Sequence, residues 1–137
     1  ETATMTLVCL DTTWTVDFFR NRKEAVQKLK RLQEENAILT STAATVFETL
    51  YGFFIKNEQE KARLAVQFFK SLQSIFPLDM EAGCKAAEIA AELAKKGLSI
   101  GHFDSLIAGS MLRNGCQSIV TSNVKDFGKI KGINCVP

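Results

Sequence analysis

Five residues of this sequence stand where carboxylate and amide chemistry could be done: Asp11, Glu48, Asp104, Asn123 and Asp126. Carboxylates gathered in one place repel one another and raise each other's pKa unless a cation is present. The usual reason to keep such a group is a hard divalent metal. Mg²⁺, or Mn²⁺ in its place, prefers oxygen ligands, retains several waters and takes only one or two carboxylates directly. Asp11 and Asp104 are then the expected direct or water-mediated ligands. Glu48 and Asp126 would orient metal-bound water or hold a second ion, with Asn123 hydrogen-bonding around them. The hydroxyls of Thr12, Thr13, Thr121 and Ser122 could hold carboxylates or phosphate oxygens in place. A metal held in this way lowers the pKa of a bound water and steadies the charge on a phosphodiester in flight.

Each acid also has an ordinary reading. Asp11, coming straight after an apolar run, is a candidate helix N-cap. Asp104 suits the positive end of a helix, and Asp126 in Asn123-Val124-Lys125-Asp126-Phe127 suits a turn. Glu48 resists such a reading, because the polar side of its helix is thin. It is the joint placement of the acids that favours a metal site, and that placement depends on the elements that carry them.

Leu7-Val8-Cys9-Leu10 is a short, wholly apolar run, as expected of a strand buried on both faces of a parallel sheet. Helices are expected from about Thr13 to Phe19 and from about Arg22 to Glu35, the second with Ala25, Val26, Leu29 and Leu32 on one stripe. Ala37-Ile38-Leu39-Thr40 reads as a second buried strand. Ser41 or Thr42 then caps a helix whose apolar positions are Val46, Phe47, Leu50, Phe53 and Phe54. A further helix spans about Glu58 to Gln73. An alanine-rich helix begins at Met80 or Glu81 and stops at Gly97, its small side chains allowing close approach to a neighbour. Phe103 to Asn114 is the last good helix. Ser118 to Thr121 and Ile133 to Val136 complete the strands. Strands alternating with helices imply an α/β fold, a three-layer α/β/α arrangement around a mostly parallel sheet. In such sheets ligands bind beyond the carboxyl ends of the strands, which is where the acids fall.

The 137 residues suit one domain, residues 1–137, with 46% hydrophobic and 23% charged residues. The first four, Glu1-Thr2-Ala3-Thr4, precede Met5 and read as a remnant of expression outside the fold. A net charge of +2 is too balanced to advertise nucleic-acid binding, so any such role rests on local patches. Cys9, Cys84, Cys116 and Cys135 lack CxxC spacing and His102 is the one histidine, which disfavours structural zinc. Cys9, Cys116 and Cys135 lie in or beside apolar stretches and read as core. No apolar run approaches the ~20 residues that span a membrane, and no signal-peptide pattern is present, so the expected location is the cytoplasm.

Four stretches together resemble the PIN-domain ribonucleases of the VapC toxin type. They are Leu10-Asp11-Thr12-Thr13, then Val46-Phe47-Glu48-Thr49-Leu50-Tyr51-Gly52, then Ile100-Gly101-His102-Phe103-Asp104-Ser105-Leu106-Ile107-Ala108, and last Val120 to Phe127 with Ile130-Lys131-Gly132-Ile133. The resemblance runs from Met5 through essentially the whole chain. It implies a metal-dependent endoribonuclease, commonly a homodimer, held inactive by a small antitoxin protein. It also implies that Asp11, Glu48, Asp104 and a fourth position form the metal site. Some members carry an acid at the place matching Asn123; others have Asn there and an acid three residues on. This chain follows the second pattern, so the fourth role passes to Asp126.

Competing readings fare less well. A haloacid-dehalogenase-type phosphatase also begins with a strand and an aspartate, but wants a second acid two residues later, where Thr13 stands. A receiver domain wants an acidic pair near the first strand. A non-catalytic module of the same fold, binding RNA or protein, would have no use for the acid set. Arg20, Arg22, Lys23, Lys28, Lys30 and Arg31 read as a solvated helix face rather than an RNA track. His102 reads as a surface loop residue and Trp14 as core. The pairs Phe18-Phe19, Phe53-Phe54 and Phe68-Phe69 exceed the needs of single helix faces. One of each is expected in the core, the other in a dimer or antitoxin groove.

Overall fold

The computed structural model of the chain describes residues 6–137; the expected expression remnant, Glu1 to Thr4, lies outside them. In order come β1 (Leu7–Leu10), α1 (Thr12–Phe19), α2 (Lys23–Glu34), β2 (Ile38–Thr42), α3 (Ala43–Ile55) and α4 (Gln59–Ser71). Then follow β3 (Ser74–Phe76), α5 (Met80–Lys95), α6 (His102–Arg113), β4 (Ser118–Val120), α7 (Val124–Phe127) and β5 (Asn134–Cys135). The strands form one sheet in the order β3-β2-β1-β4-β5, and every pairing in it is parallel. The chain therefore reverses its direction of growth across the sheet between β1 and β4, which makes the carboxyl ends of those two strands the switch point.

Period-two alternation sends successive side chains of a strand to opposite faces. Cys9 and Ile119 enter the core that includes Ile107, Met111 and Phe127. Their neighbours Val8, Leu10 and Val120 enter the core that includes Trp14, Ala25 and Leu32. A third core, Phe53, Ala62, Ala65 and Phe69, joins α3 to α4. Trp14 is buried as expected, its indole N–H donating to the Ala25 carbonyl at 3.1 Å. Cys9 and Cys116 are core residues, and Cys135 packs partly buried against the first core.

Thr42, not Ser41, caps α3, its side chain accepting from the Thr45 N–H. Asp79 caps α5 in the same way through the Ala82 N–H. Gly97 takes φ +73° just beyond α5, a left-handed stop that favours glycine. The small-residue helix does approach its neighbour closely. A Cβ on Gly109 of α6 would lie 2.6 Å from Ala86 N and 2.7 Å from Ala82 O.

Several expectations need correction. β3 and α7 were not foreseen: α4 stops at Ser71 and the chain turns into a three-residue edge strand. Val26 is exposed rather than on the buried stripe of α2, and Phe47 is exposed on α3, where Phe53 is buried and Phe54 exposed as expected of that pair. Phe18, Phe19 and Phe68 do not divide into core and groove. They are all partly buried and pack on one another and on Trp14, with Trp14 and Phe18 stacked at 4.9 Å. His102 is exposed as expected, but as the first residue of α6 rather than in a loop.

Candidate active site

Asp11 occupies the residue between β1 and α1, with extended backbone at φ −85° and ψ 164°. Its carboxylate makes no cap bond to the helix. Instead Asp11 Oδ2 accepts from two hydroxyls, Thr13 Oγ1 at 3.0 Å and Thr121 Oγ1 at 2.5 Å. Those hydroxyls are themselves oriented: Thr13 Oγ1 accepts from the Ser122 N–H, and Thr121 Oγ1 from the Asn123 N–H, each at 2.9 Å. The cap reading of Asp11 therefore fails. The side chain is 1% exposed and turned to the switch point, where the loop after β4 holds it.

Glu48 reaches the same end of the sheet from the second turn of α3. Thr12 Oγ1 donates to Glu48 Oε1 at 2.7 Å, joining the start of α1 to α3. One turn further on, Thr15 and Thr49 share a buried hydroxyl–hydroxyl bond of 2.8 Å that fixes the two helices together. Burial raises the Glu48 pKa first, the charge of Asp11 adds to the rise, and the Thr12 bond opposes it.

Asp104 lies in the first turn of α6. Burial, then the charges of Asp11, Glu48 and Asp126, push its carboxyl up to about 6 against an opposing hydrogen bond from Asn123. Two carboxylates meet at Asn123, whose side-chain amide donates to Asp104 Oδ2 at 3.0 Å and to Asp126 Oδ2 at 3.1 Å. Asp126 belongs to α7 rather than to a free turn. Its carboxyl is held low, by the Asn123 bond first and by Lys129, whose Nζ lies 3.4 Å from Asp126 Oδ1.

The fold thus brings Asp11, Glu48 and Asp104 within one electrostatic neighbourhood, with Asp126 on its rim. Among the described residues no three of these acids are drawn tightly enough together to enclose an ion as they stand. Hydroxyl and amide donors occupy the positions between them, as expected of carboxylates without a counter-charge. The carboxylate set is nevertheless oxygen throughout, the kind that suits a hard divalent cation, and a cation there would relieve both the burial and the neighbouring charges that raise Asp104. Lys129 is the residue the sequence reading overlooked. Its spacing of three from Asp126 within a short helical turn was the available signal.

The α2 cations mostly face solvent, as expected, but Arg20, just beyond α1, is half-buried and pairs with Glu58 at 3.3 Å instead of facing solvent. Lys28 alone lines a small cleft with Trp14, Thr121 and Ser122 beside the site. Among the described residues no helix is long and apolar enough to cross a membrane.

Comparison with known proteins places the chain in a family and a fold. The family model described as PIN domain matches residues 8–133. The tRNA(fMet)-specific endonuclease VapC of Salmonella typhimurium is 30% identical over 124 residues, covering 90% of this chain and 92% of that protein. The crystal structure of DNA-bound VapBC from Salmonella typhimurium superposes with a TM-score of 0.81 at 26% identity, over 96% of this chain and 98% of that one. VapBC2 from Rickettsia felis, bound to a fragment of its promoter, has the same fold at a TM-score of 0.81 and 23% identity, over 96% and 98% of the two chains.

Proposed function

The chain belongs to the PIN-domain family, and from that premise we propose that it is a divalent-metal-dependent endoribonuclease, the toxin of a toxin–antitoxin pair. The single observation that carries the reading is Asp11. It is a buried carboxylate at the switch point, held by one hydroxyl from the first turn of α1 and one from just beyond β4 rather than capping its helix, beside an Asp104 whose carboxyl is pushed up by burial and then by the other acids.

Mg²⁺ is the ion this oxygen donor set suits best, with Mn²⁺ as its substitute. Asp11 and Asp104 would hold it, with Glu48 and Asp126 completing the set. When bound, the ion supplies a water of lowered pKa and charge compensation at the scissile phosphate. The remaining work belongs to the protein's own groups. Thr13 and Thr121 fix the Asp11 carboxylate, Thr12 fixes Glu48, and Asn123 holds Asp104 and Asp126 in position.

The relatives solved as VapBC complexes support a small antitoxin protein as partner, and the cytoplasm, where RNA is met, is the assigned location. A homodimer is assigned to α3. Its exposed stripe Phe47, Tyr51, Phe54 and Ile55, between 50% and 62% exposed, is apolar at the spacing of one helix face. Phe103 stacks on Phe47 at 5.5 Å and extends the stripe to the edge of the acidic site.

The test uses purified protein and RNA. Cleavage with Mg²⁺ that stops in chelator and in a folded Asp11→Asn variant is expected; cleavage that persists in chelator overturns the mechanism. RNA binding with no cleavage under any divalent ion would instead identify a non-catalytic module.

A further inference from the structure

A cleft of roughly 400 Å³ runs between α5, the end of α6 and the segment that follows α7. Leu93 and Ile130 form part of an apolar floor, and the rim carries Lys85, Lys96, Lys129 and Lys131. Two glutamates share the rim, of which Glu88 pairs with Lys85 at 3.8 Å. Among the described residues neither Lys96 nor Lys131 has an ion-pair partner. The cleft is joined to the acidic site by Lys129. Its stem lines the cleft, while its Nζ lies 3.4 Å from Asp126 Oδ1 and 3.4 Å from the Ser99 carbonyl. Lys96 is the residue that follows α5, and the connection from it to α6 leads to Asp104 in the first turn of that helix.

We propose that this cleft is the track for the RNA strand on one side of the scissile phosphodiester, with Lys96, Lys129 and Lys131 contacting backbone phosphates. The proposal rests on the ribonuclease reading. A phosphodiester can approach a ring of carboxylates only if its flanking phosphates are compensated nearby, and a chain of net charge +2 has no global field to do this. Lys129 stands as a point charge at the edge of the site, Lys96 and Lys131 line the cleft that leads from it, and the apolar floor between them suits sugar and base faces, which free phosphate lacks. Of the α2 cations, Lys23, Lys30 and Arg31 stand in solvent, and Lys28 alone lines a smaller cleft beside Trp14.

The test uses a fluorescent single-stranded RNA and the Asp11→Asn protein, which is expected to bind without cutting. Adding Lys96→Ala and Lys131→Ala is expected to weaken binding and reduce the slope of log affinity against log salt by about 1.4, roughly 0.7 for each phosphate deprived of its lysine. In the otherwise native chain the same pair of substitutions is expected to raise KM for long RNA about tenfold. It should leave kcat, and cleavage of a dinucleotide confined to the acidic site, unchanged. An unaltered salt slope and KM would overturn the track while leaving the ribonuclease reading intact. So would loss of antitoxin binding with RNA affinity untouched, which would make the cleft a protein-docking surface. Failure of the native chain to cut either substrate would count against the ribonuclease reading itself, and the salt slope would still decide the track.

Discussion

Thr121 Oγ1 stands 2.5 Å from Asp11 Oδ2, across the one place in the sheet where the order of strands reverses. Leu10 and Val120 are register partners, and the Asp11 N–H donates to the Val120 carbonyl at 3.1 Å. Parallel pairing of β1 with β4 therefore delivers the next residue of each strand to the same point. The acid at the centre of the site is positioned by sheet register, and its orientation by a hydroxyl just beyond the neighbouring strand.

Thr121→Val keeps the shape and removes the donor. A hydrogen bond to a charged group contributes about 1.5–3 kcal/mol, and here it also fixes the direction of a proposed ligand. RNA cleavage is expected to fall at least tenfold, with the fold retained and stability lowered by about 1.5–3 kcal/mol. Rates at saturating Mg²⁺ beside urea melts check this; an unchanged rate would remove Thr121 from the site's support.

Asp104 gives a pH prediction. Its carboxyl, ordinarily at 3.8, is pushed up to about 6 in the fold by burial and then by the neighbouring acids. Between those values the folded chain holds a proton that the unfolded chain has released. The stabilisation is thus fully present below the unfolded value and is lost as pH rises through about 6. Glu48 shifts in the same direction and Asp126 in the opposite one, so the clean readout is a difference. Ion-free Asp104→Asn should be more stable than the native chain above about pH 6, by about 1 kcal/mol once partial exposure is discounted. That advantage should vanish below about pH 4. Added Mn²⁺ should stabilise the native chain and not the variant. Denaturation in chelator at several pH values would detect the absence of any such crossover.

Gly109 lets α6, which carries Asp104, lie against α5. A Cβ there would meet Ala86 Cβ at 2.7 Å as well as the Ala82 and Ala86 backbone, and backbone cannot swing aside. Gly109→Ala should cost about 3 kcal/mol and lower Tm by roughly 10 °C. Thermal melts followed by circular dichroism measure it; a shift within a degree or two would mean that the helices separate freely.

Phe54 stands on the exposed stripe of α3, away from the acids. Phe54→Glu places a charge on a face assigned to a second copy of the chain. Light scattering should report two chains per particle for the native protein and one for the variant, at unchanged thermal stability of the fold. A native protein that is monomeric at micromolar concentration would contradict the assignment.

Much of this arrangement was legible in the sequence, for definite reasons. Leu7–Leu10 and Ser118–Val120 are short apolar runs ending in polar residues, and parallel strands buried on both faces read in that way. Asp11, Glu48 and Asp104 could be placed because each sits a fixed step beyond a strand or inside a first or second helical turn. What was lost had equally physical causes. Ser74–Phe76 is too short to show alternation and follows α4 so closely that it reads as its tail. Val124–Phe127 is a single turn, below the length at which periodicity exists. α3 is apolar on nearly every side, so its pattern announces a helix without saying which stripe is buried; Phe53 went in, while Phe47 and Phe54 stayed out. The role of Asn123 as a bridge between Asp104 and Asp126 depends on the loop geometry after β4, which no spacing rule encodes.

The most direct measurement is a Mn²⁺ titration of chelator-stripped protein, with bound ion read by electron paramagnetic resonance and RNA cleavage read in the same samples. If the four acids hold the ion on which cleavage depends, rate should follow occupancy in the native chain, and both should be lost in folded Asp11→Asn and Asp104→Asn. Cleavage at full rate by the stripped protein, or ion binding undiminished in both variants, would contradict it.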